Sequence, residues 1–330
     1  MPNKIRWGII STAGIAEKSF IPALLETDRG ELTAVASRDR HKADAFAKKH
    51  DIPTVFDDYT SLLESDEIDA VYNPLPNTMH AEWTIKAAEN SKHIFCEKPL
   101  AMSADEINSM SDSCERAGVK LVEAFVFLFH DQTLKLRQIL DSGVIGEITA
   151  THAYMDFRMP RPSDNIRFNR ELGGGGLLDC GVYPITFTRF VFGQEPIGVQ
   201  AACFIDPEYG VDTRASAVVE FCDGRYATIQ CSFDGQGGQG AAIFGEKGHI
   251  TIPQPYHPRK GSHLLVKSPE GEERYPFGDG RHPFTPAIEH FHDVLLDGTP
   301  LAVPATNALG TMAVVEAIFE SARTGRRVAL

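Results

Sequence analysis

Across its first 120 residues the chain alternates short apolar runs with helix-like stretches, and this alternation constrains the fold more than any other feature. Runs at 5–10, 32–37, 70–73, 93–96 and 120–123 read as strands, and 16–25, 42–50, 81–90 and 104–117 as the helices between them. Apolar runs of this length suit strands buried on both faces, which is the situation in a parallel sheet. Helical crossovers between parallel strands are right-handed, so the pattern predicts a doubly wound nucleotide-binding domain. The helix at 104–117 is well punctuated: Ser103-Ala104-Asp105-Glu106 matches a capping box, and Gly118 can end it.

After about residue 124 the rhythm changes. A helix is predicted over 131–141 and a long strand over 147–156. Alternating segments then follow at 199–206, 215–221, 226–233, 241–244, 249–252 and 264–267, with a hairpin signal at Asp223-Gly224. Two helices, 285–296 and 307–324, close the chain. The fold class is therefore α/β at the N-terminus, with a Rossmann sheet over 1–123. An α+β domain with a large, mostly antiparallel open sheet follows over 124–330, for substrate binding and dimerisation. A sheet that large needs its outer face covered, which points to a homodimer or a dimer of dimers through this sheet.

Composition narrows the function. A net charge of −13 without a basic run excludes a nucleic-acid backbone as partner. Met1-Pro2-Asn3-Lys4 leads into an apolar stretch too short for a signal core or membrane span, so a cytoplasmic protein is expected, with no membrane partner. The six cysteines form no Cys-x-x-Cys pair and read as reduced thiols rather than disulfides or zinc ligands. His290-x-His292 lacks helical i, i+4 spacing and carboxylate support, so no metal is expected there.

The turn after the first strand reads Gly8-Ile9-Ile10-Ser11-Thr12-Ala13-Gly14-Ile15-Ala16. The three places of a Gly-x-Gly-x-x-Gly/Ala dinucleotide fingerprint fall on Ser11, Ala13 and Ala16. Small residues between strand and helix still let a pyrophosphate approach the helix N-terminus, which makes Ser11, Thr12, Ala13, Gly14 and Ile15 cofactor candidates. At the tip of the second strand, Ser37-Arg38 supplies a hydroxyl and a guanidinium suited to a 2′-phosphate. Asp39 falls one place later, as a cap for the next helix. NADP is favoured over NAD. The stiff loop 73–80 lies at the ligand edge of such a sheet, and Leu75, Asn77 and His80 are further cofactor candidates, although a histidine at a helix start is as often structural.

Glu97-Lys98-Pro99 closes the 93–96 run. A lysine then a proline is an odd choice for packing and a sensible one for chemistry, because open α/β sheets bind ligands beyond their strand ends. A second informative stretch is Gly173-Gly174-Gly175-Gly176-Leu177-Leu178-Asp179-Cys180-Gly181-Val182-Tyr183. Glycine there lets backbone or ligand come close. Asp179 and Tyr183 share a face if both are helical, or flank a helix start, given Pro184. Asn165 and Arg167 just upstream, and His130, are candidates for substrate binding. A surface pair of Arg167 with Asp164 is the competing explanation.

These motifs together resemble the glucose–fructose oxidoreductase/inositol dehydrogenase (Gfo/Idh/MocA) family over nearly the whole chain. Val122-Glu123-Ala124-Phe125, Asn165-Ile166-Arg167, Cys231-Ser232-Phe233 and Gly245-Glu246-Lys247-Gly248 are similar to its branch of NADP-dependent D-xylose dehydrogenases, dimeric dihydrodiol dehydrogenases and sugar ketoreductases. Phe127-Leu128 depart from that branch, being purely apolar where it often carries an aromatic–arginine pair. The resemblance implies hydride transfer between a sugar, cyclic polyol or diol and C4 of NADP. It makes Tyr183 the general acid/base and Lys98 the cation that lowers the phenol's pKa from its ordinary ~10. Asp179 would orient a substrate hydroxyl or the lysine, and Glu97 would hold the cofactor side. Two alternatives keep the fold: a non-catalytic NADP-binding regulator, which has no need of Lys98, Asp179 and Tyr183 together, and a sugar–sugar oxidoreductase with a tightly held cofactor. No arm ahead of Ile5 is available to wrap a cofactor, which disfavours the second.

Overall fold

A computed structural model of the chain describes residues 4–278 and 280–330. The leader reading made on Met1-Pro2-Asn3 lies outside the described residues. Strands β1 (Ile5–Ile10), β2 (Gly30–Ala36), β3 (Thr54–Phe56), β4 (Ala70–Asn73), β5 (His93–Cys96) and β6 (Leu121–Glu123) form one sheet in the order β3-β2-β1-β4-β5-β6. Every pairing in it is parallel, so the doubly wound expectation holds. Helices α1 (Ile21–Leu25), α2 (Arg40–Lys49), α3 (Tyr59–Glu64), α4 (His80–Glu89) and α5 (Ala104–Ala117) provide the crossovers. Local chemistry sets their ends: Ser103 Oγ accepts from Glu106 N–H, Asp39 caps α2 by accepting from Lys42 N–H, and Gly118 ends α5 at φ 69°. Within this half of the chain, β3 and α3 were not read from the sequence.

The second sheet is built from β7 (Ile148–Asp156), β8 (Gly198–Ile205), β9 (Asp212–Glu220), β10 (Tyr226–Ser232), β11 (Gly238–Gly245), β12 (His249–Ile252), β13 (His263–Ser268), β14 (Gly271–Pro276) and β15 (Val328–Ala329). Its order is β14-β13-β12-β11-β7-β10-β9-β8-β15, antiparallel except for β10 beside β7. Helices α6 (Asp131–Asp141) and α7 (Val182–Phe192) belong to this half, and α7 packs on β7 and β10. The opposite face carries Phe204, Val218, Tyr226 and Phe244, each more than 40% exposed.

The chain divides into two units differently from the split at 123/124. One unit is Met1–Phe129 with Arg281–Ala308, the other His130–Gly280 with Leu309–Leu330. Helix α8 (Thr285–Asp297) returns to the first unit because its buried stripe, Ala287, Ile288, Phe291 and Val294, completes that core. The Phe291 ring lies 5.8 Å from Trp7 and 6.0 Å from Phe95, while Phe20 stacks on Tyr72 at 4.1 Å. Most of α9 (Asn307–Thr324) belongs to the second unit, where Ser321 Oγ accepts from Ala201 N–H.

Candidate active site

In the first unit, β1 delivers the chain to Ser11, which holds φ 90°. A non-glycine residue in that region is strained, so serine keeps the backbone shape of the fingerprint's first glycine at some cost in energy. Its hydroxyl accepts from Ala13 N–H at 3.3 Å. A π-helical turn, Ala16–Phe20, runs directly into α1, with Ile21 N–H reaching back to Ala16 O. Pro22 explains the loosened turn, since proline has no N–H to give Lys18 O. Ile15 is 39% exposed at the mouth of this turn, and a Cβ placed on Gly14 meets open space. Helix first-turn N–H groups lack intrahelical acceptors, so the turn fits an anionic pyrophosphate.

The tip of β2 fits the adenosine end. Ser37 is buried and its Oγ accepts from Asp39 N–H at 3.3 Å, while Asp39 is turned to capping α2. Arg38 is exposed, lies against Tyr59 and makes no ion pair among the described residues. An available guanidinium here matches a 2′-phosphate better than a bare ribose hydroxyl.

Glu97 is buried; its carboxylate accepts from Tyr72 Oη at 2.6 Å and from Lys98 N–H at 3.3 Å. The Lys98–Pro99 peptide is cis. Lys98 is half-buried, and its charge helps hold the His80 pKa down, behind the larger effect of burial. His80 is fully buried, with Nδ1 2.9 Å from Pro99 O and Nε2 2.8 Å from Leu75 O. The ring thus lies between the loop at Leu75 and the segment after Lys98, and the single N–H of the neutral imidazole donates to one of these two carbonyls. Asn73 buttresses the same loop, accepting from Leu75 N–H and donating to His80 O and Thr84 Oγ1. Asn77 opens a short 3₁₀ turn ahead of α4.

In the second unit the glycine run is packed rather than loose. A Cβ on Gly174 would stand 2.6 Å from Arg167 O, and one on Gly175 would stand 2.3 Å from Asp212 Oδ1, where φ is also 130°. Residues Leu177–Gly181 form a second π-helical turn leading into α7, with Val182 N–H reaching Leu177 O. Pro184 is the cause, as Pro22 is in the first unit: it cannot donate to Cys180 O. Asp179 and Tyr183 therefore stand on one continuous helical segment that starts with a loosened turn.

Arg167 Nε donates to Asp179 Oδ2 at 2.7 Å, so its partner is Asp179 and not Asp164. Burial works to lower the Arg167 pKa, but the charges of Asp179 and, to a lesser degree, Tyr183 outweigh it, so its pKa is raised. The guanidinium and the phenol therefore feel one another's charge. Asn165 shapes this turn by accepting from Arg167 N–H at 3.1 Å. His130 caps α6, its Nδ1 accepting from Gln132 N–H. The buried Tyr183 ring lies 5.5 Å from Tyr256 and 5.1 Å from His257.

His257 also lines a cavity of about 520 Å³ with Met155, Asp156, Phe157, Gln239 and Gln254. Asp156 is 7% exposed; its Oδ2 accepts from Gln230 at 2.6 Å, its Oδ1 has no partner among the described residues, and burial raises its pKa. Gln239 Oε1 holds the backbone N–H groups of Tyr256 and His257. A pocket with amide, imidazole and carboxyl groups over an apolar floor suits a small polyhydroxylated ligand. Reading the sequence had missed Gln239, Gln254 and His257; the glycine-rich stretch 235–240 was the available signal.

The first unit's residues 5–125 match the family model described as an oxidoreductase family with an NAD-binding Rossmann fold, and residues 133–251 match the GFO/IDH/MocA C-terminal domain. The chain belongs to the GFO/IDH/MocA oxidoreductase family. It is 35% identical to an NADP(+) D-xylose 1-dehydrogenase of Haloferax volcanii, over 98% of this chain and 99% of that one. The 3-ketoreductase KijD10 of Actinomadura kijaniata, solved with NADP and TDP-benzene, superposes with a TM-score of 0.90 at 29% identity, covering 97% and 98% of the two chains. An aldose–aldose oxidoreductase of Caulobacter crescentus, solved with glycerol, gives 0.91 at 25% identity, over 99% and 100%. Both sheets match the family fold, and no helix among the described residues is long and apolar enough to cross a membrane.

Proposed function

We propose that this oxidoreductase uses NADP to oxidise or reduce a sugar, cyclic polyol or diol at a carbinol carbon, with Tyr183 as general acid/base. The observation that carries the reading is the Arg167–Asp179 pair beside Tyr183 on a helix whose start is built around packed glycines. A cation near a phenol favours the phenolate, which a proton-relaying tyrosine needs near neutral pH. Lys98 is the second cation proposed to assist the phenol and hold the reacting oxygen. Asp179 keeps Arg167 in place and orients a substrate hydroxyl, and Asn165 shapes their turn.

NADP, when bound, supplies or accepts the hydride at nicotinamide C4. Ser11, Thr12, Ala13, Gly14 and Ile15 are proposed to cradle its pyrophosphate, and Ser37 with Arg38 its 2′-phosphate. Leu75, Asn77 and Glu97 border the nicotinamide side, with His80 holding that edge in shape from beneath. The cavity beside His257 takes the substrate's remaining hydroxyls, and His130 stands among the substrate-side residues.

The exposed face with Phe204, Val218, Tyr226 and Phe244 is proposed to pair with a second copy of this chain. The six cysteines, all free, fit a reducing cytoplasm. Likeness to an aldose–aldose oxidoreductase favours one second reading, a sugar–sugar oxidoreductase that keeps its cofactor, and nicotinamide absorbance of the purified protein separates it from the first. The direct test is Tyr183→Phe. Turnover should fall about 10²–10⁴-fold while NADP binding stays within about twofold; unchanged turnover would falsify the assignment.

A further inference from the structure

Asp212 takes no part in the chemistry above, yet it is built into the helix that carries that chemistry. It opens β9, is 3% exposed, and its Oδ2 accepts from Leu177 N–H at 2.6 Å. This Leu177 N–H heads the segment that runs through the π-helical turn into α7, bearing Asp179 and Tyr183. The backbone is shaped around the carboxylate as well: its Oδ1 lies 2.3 Å from where a Cβ on residue 175 would stand, so only glycine fits there. Gly175 and Asp212 are two parts of one device.

An ordinary helix start does not need this. The turn at Leu177–Gly181 is π-helical and precedes a proline, so its own hydrogen bonds hold it less tightly than an α-turn would. Arg167 restrains the Asp179 side chain, whereas Asp212 restrains the backbone immediately ahead of it. Stability alone is a poor reason for a carboxylate at this place. Burial pushes its acid up to about 6 even though the Leu177 N–H bond pulls the other way, so holding it ionised works against folding.

We propose that Asp212 is a positioning residue for the reaction: it anchors the first turn of the helical segment and thereby aims Asp179 and Tyr183. This rests on the reading of Tyr183 as acid/base. The test uses the full chain carrying Asp212→Ala or Asp212→Asn, assayed well below each variant's Tm, with NADP affinity and sugar KM measured beside kcat. Asp212→Ala should lower kcat by about 10–100-fold, the usual cost of a misplaced catalytic group, while KM and the NADP Kd stay within about threefold. Asp212→Asn retains an acceptor for Leu177 N–H and should recover at least about a third of wild-type kcat. If both residues act through one group, Asp212→Ala in a Tyr183→Phe background should slow turnover by less than about twofold more.

A kcat within twofold for Asp212→Ala, or full additivity in the double variant, overturns the inference. If Asp212→Ala does not fold, Asp212→Ser, whose hydroxyl is too short to reach Leu177, carries the same measurements. The two failures are distinguishable: a full-speed Tyr183→Phe removes the acid/base reading, whereas a slow Tyr183→Phe beside a full-speed Asp212→Ala removes only the role of Asp212.

Discussion

One of the side chains through which acid should destabilise the first unit is His292 on α8. The ring is fully buried, and its Nε2 accepts from Trp7 Nε1 at 3.0 Å, which puts the proton on Nδ1. Nδ1 has no partner among the described residues. Burial, reinforced by the positive charge of Arg29, lowers the pKa from 6.5 to about 4. At pH 7.5 the imidazole is neutral whether folded or not. Below 6.5 the unfolded chain takes up a proton that the folded one refuses until about 4, so stability present above 6.5 is lost over that window. The slope is about 1.4 kcal/mol per pH unit, and the loss by pH 4.5 is about 2.5 kcal/mol, a sizeable part of a typical domain's stability.

Tryptophan fluorescence isolates this effect, because Trp7 and Trp83 are the chain's two tryptophans and both lie in the first unit. Urea unfolding of the wild type and of His292→Gln, which keeps an acceptor for Trp7 but takes up no proton, should be compared at pH 7.5 and 4.5. The difference between the two should shift by about 2.5 kcal/mol in favour of the variant at the lower pH. A difference that stays constant within about 0.5 kcal/mol refutes the reasoning. A signal from the whole protein would hide the effect. Burial raises Asp212 to about 6 in the second unit, so its contribution has the opposite sign: it is fully present below 3.8 and lost as pH rises through about 6.

Arg38→Ala should weaken NADP by about 10–100-fold, the worth of a charged phosphate contact, and leave NAD within about twofold in equilibrium binding. Equal loss for both cofactors would remove the phosphate assignment. Val218→Glu places a charge on the open sheet face and should convert the proposed dimer to monomer by light scattering, whereas an unchanged mass would remove this face as the pairing surface.

Elements held by local rules were legible in the sequence. Buried parallel strands read as apolar runs, so β1, β4 and β5 were found with their observed ends. Ser103, Asp39 and Gly118 set helix ends through bonds spanning only a few residues, and they do so here as expected. β3 escaped notice because it is three half-buried residues at a sheet edge; β14 escaped because it is a charged, mostly exposed edge strand. Residue types with chemical meaning were also visible: Lys98, Asp179, Tyr183, and the small residues at Ser11 and Ala13.

Partnerships between distant residues were another matter. Asp164 was the only mate for Arg167 that the sequence suggested, and it took the path of the chain to bring the guanidinium to Asp179 instead. His80 carried two readings, and only the folded loops show carbonyls at both ring nitrogens. The apolar stripe of α8 was readable, but not that it packs beside Trp7 and Phe95 in the first unit. The glycine run was legible as close approach, and the group that approaches, Asp212, lies on a strand far along the chain. Periodicity, caps and turns act over a few residues and so are written locally. Ion pairs, buried polar contacts and core completion depend on where the backbone carries residues far apart in sequence, which the tertiary structure alone decides.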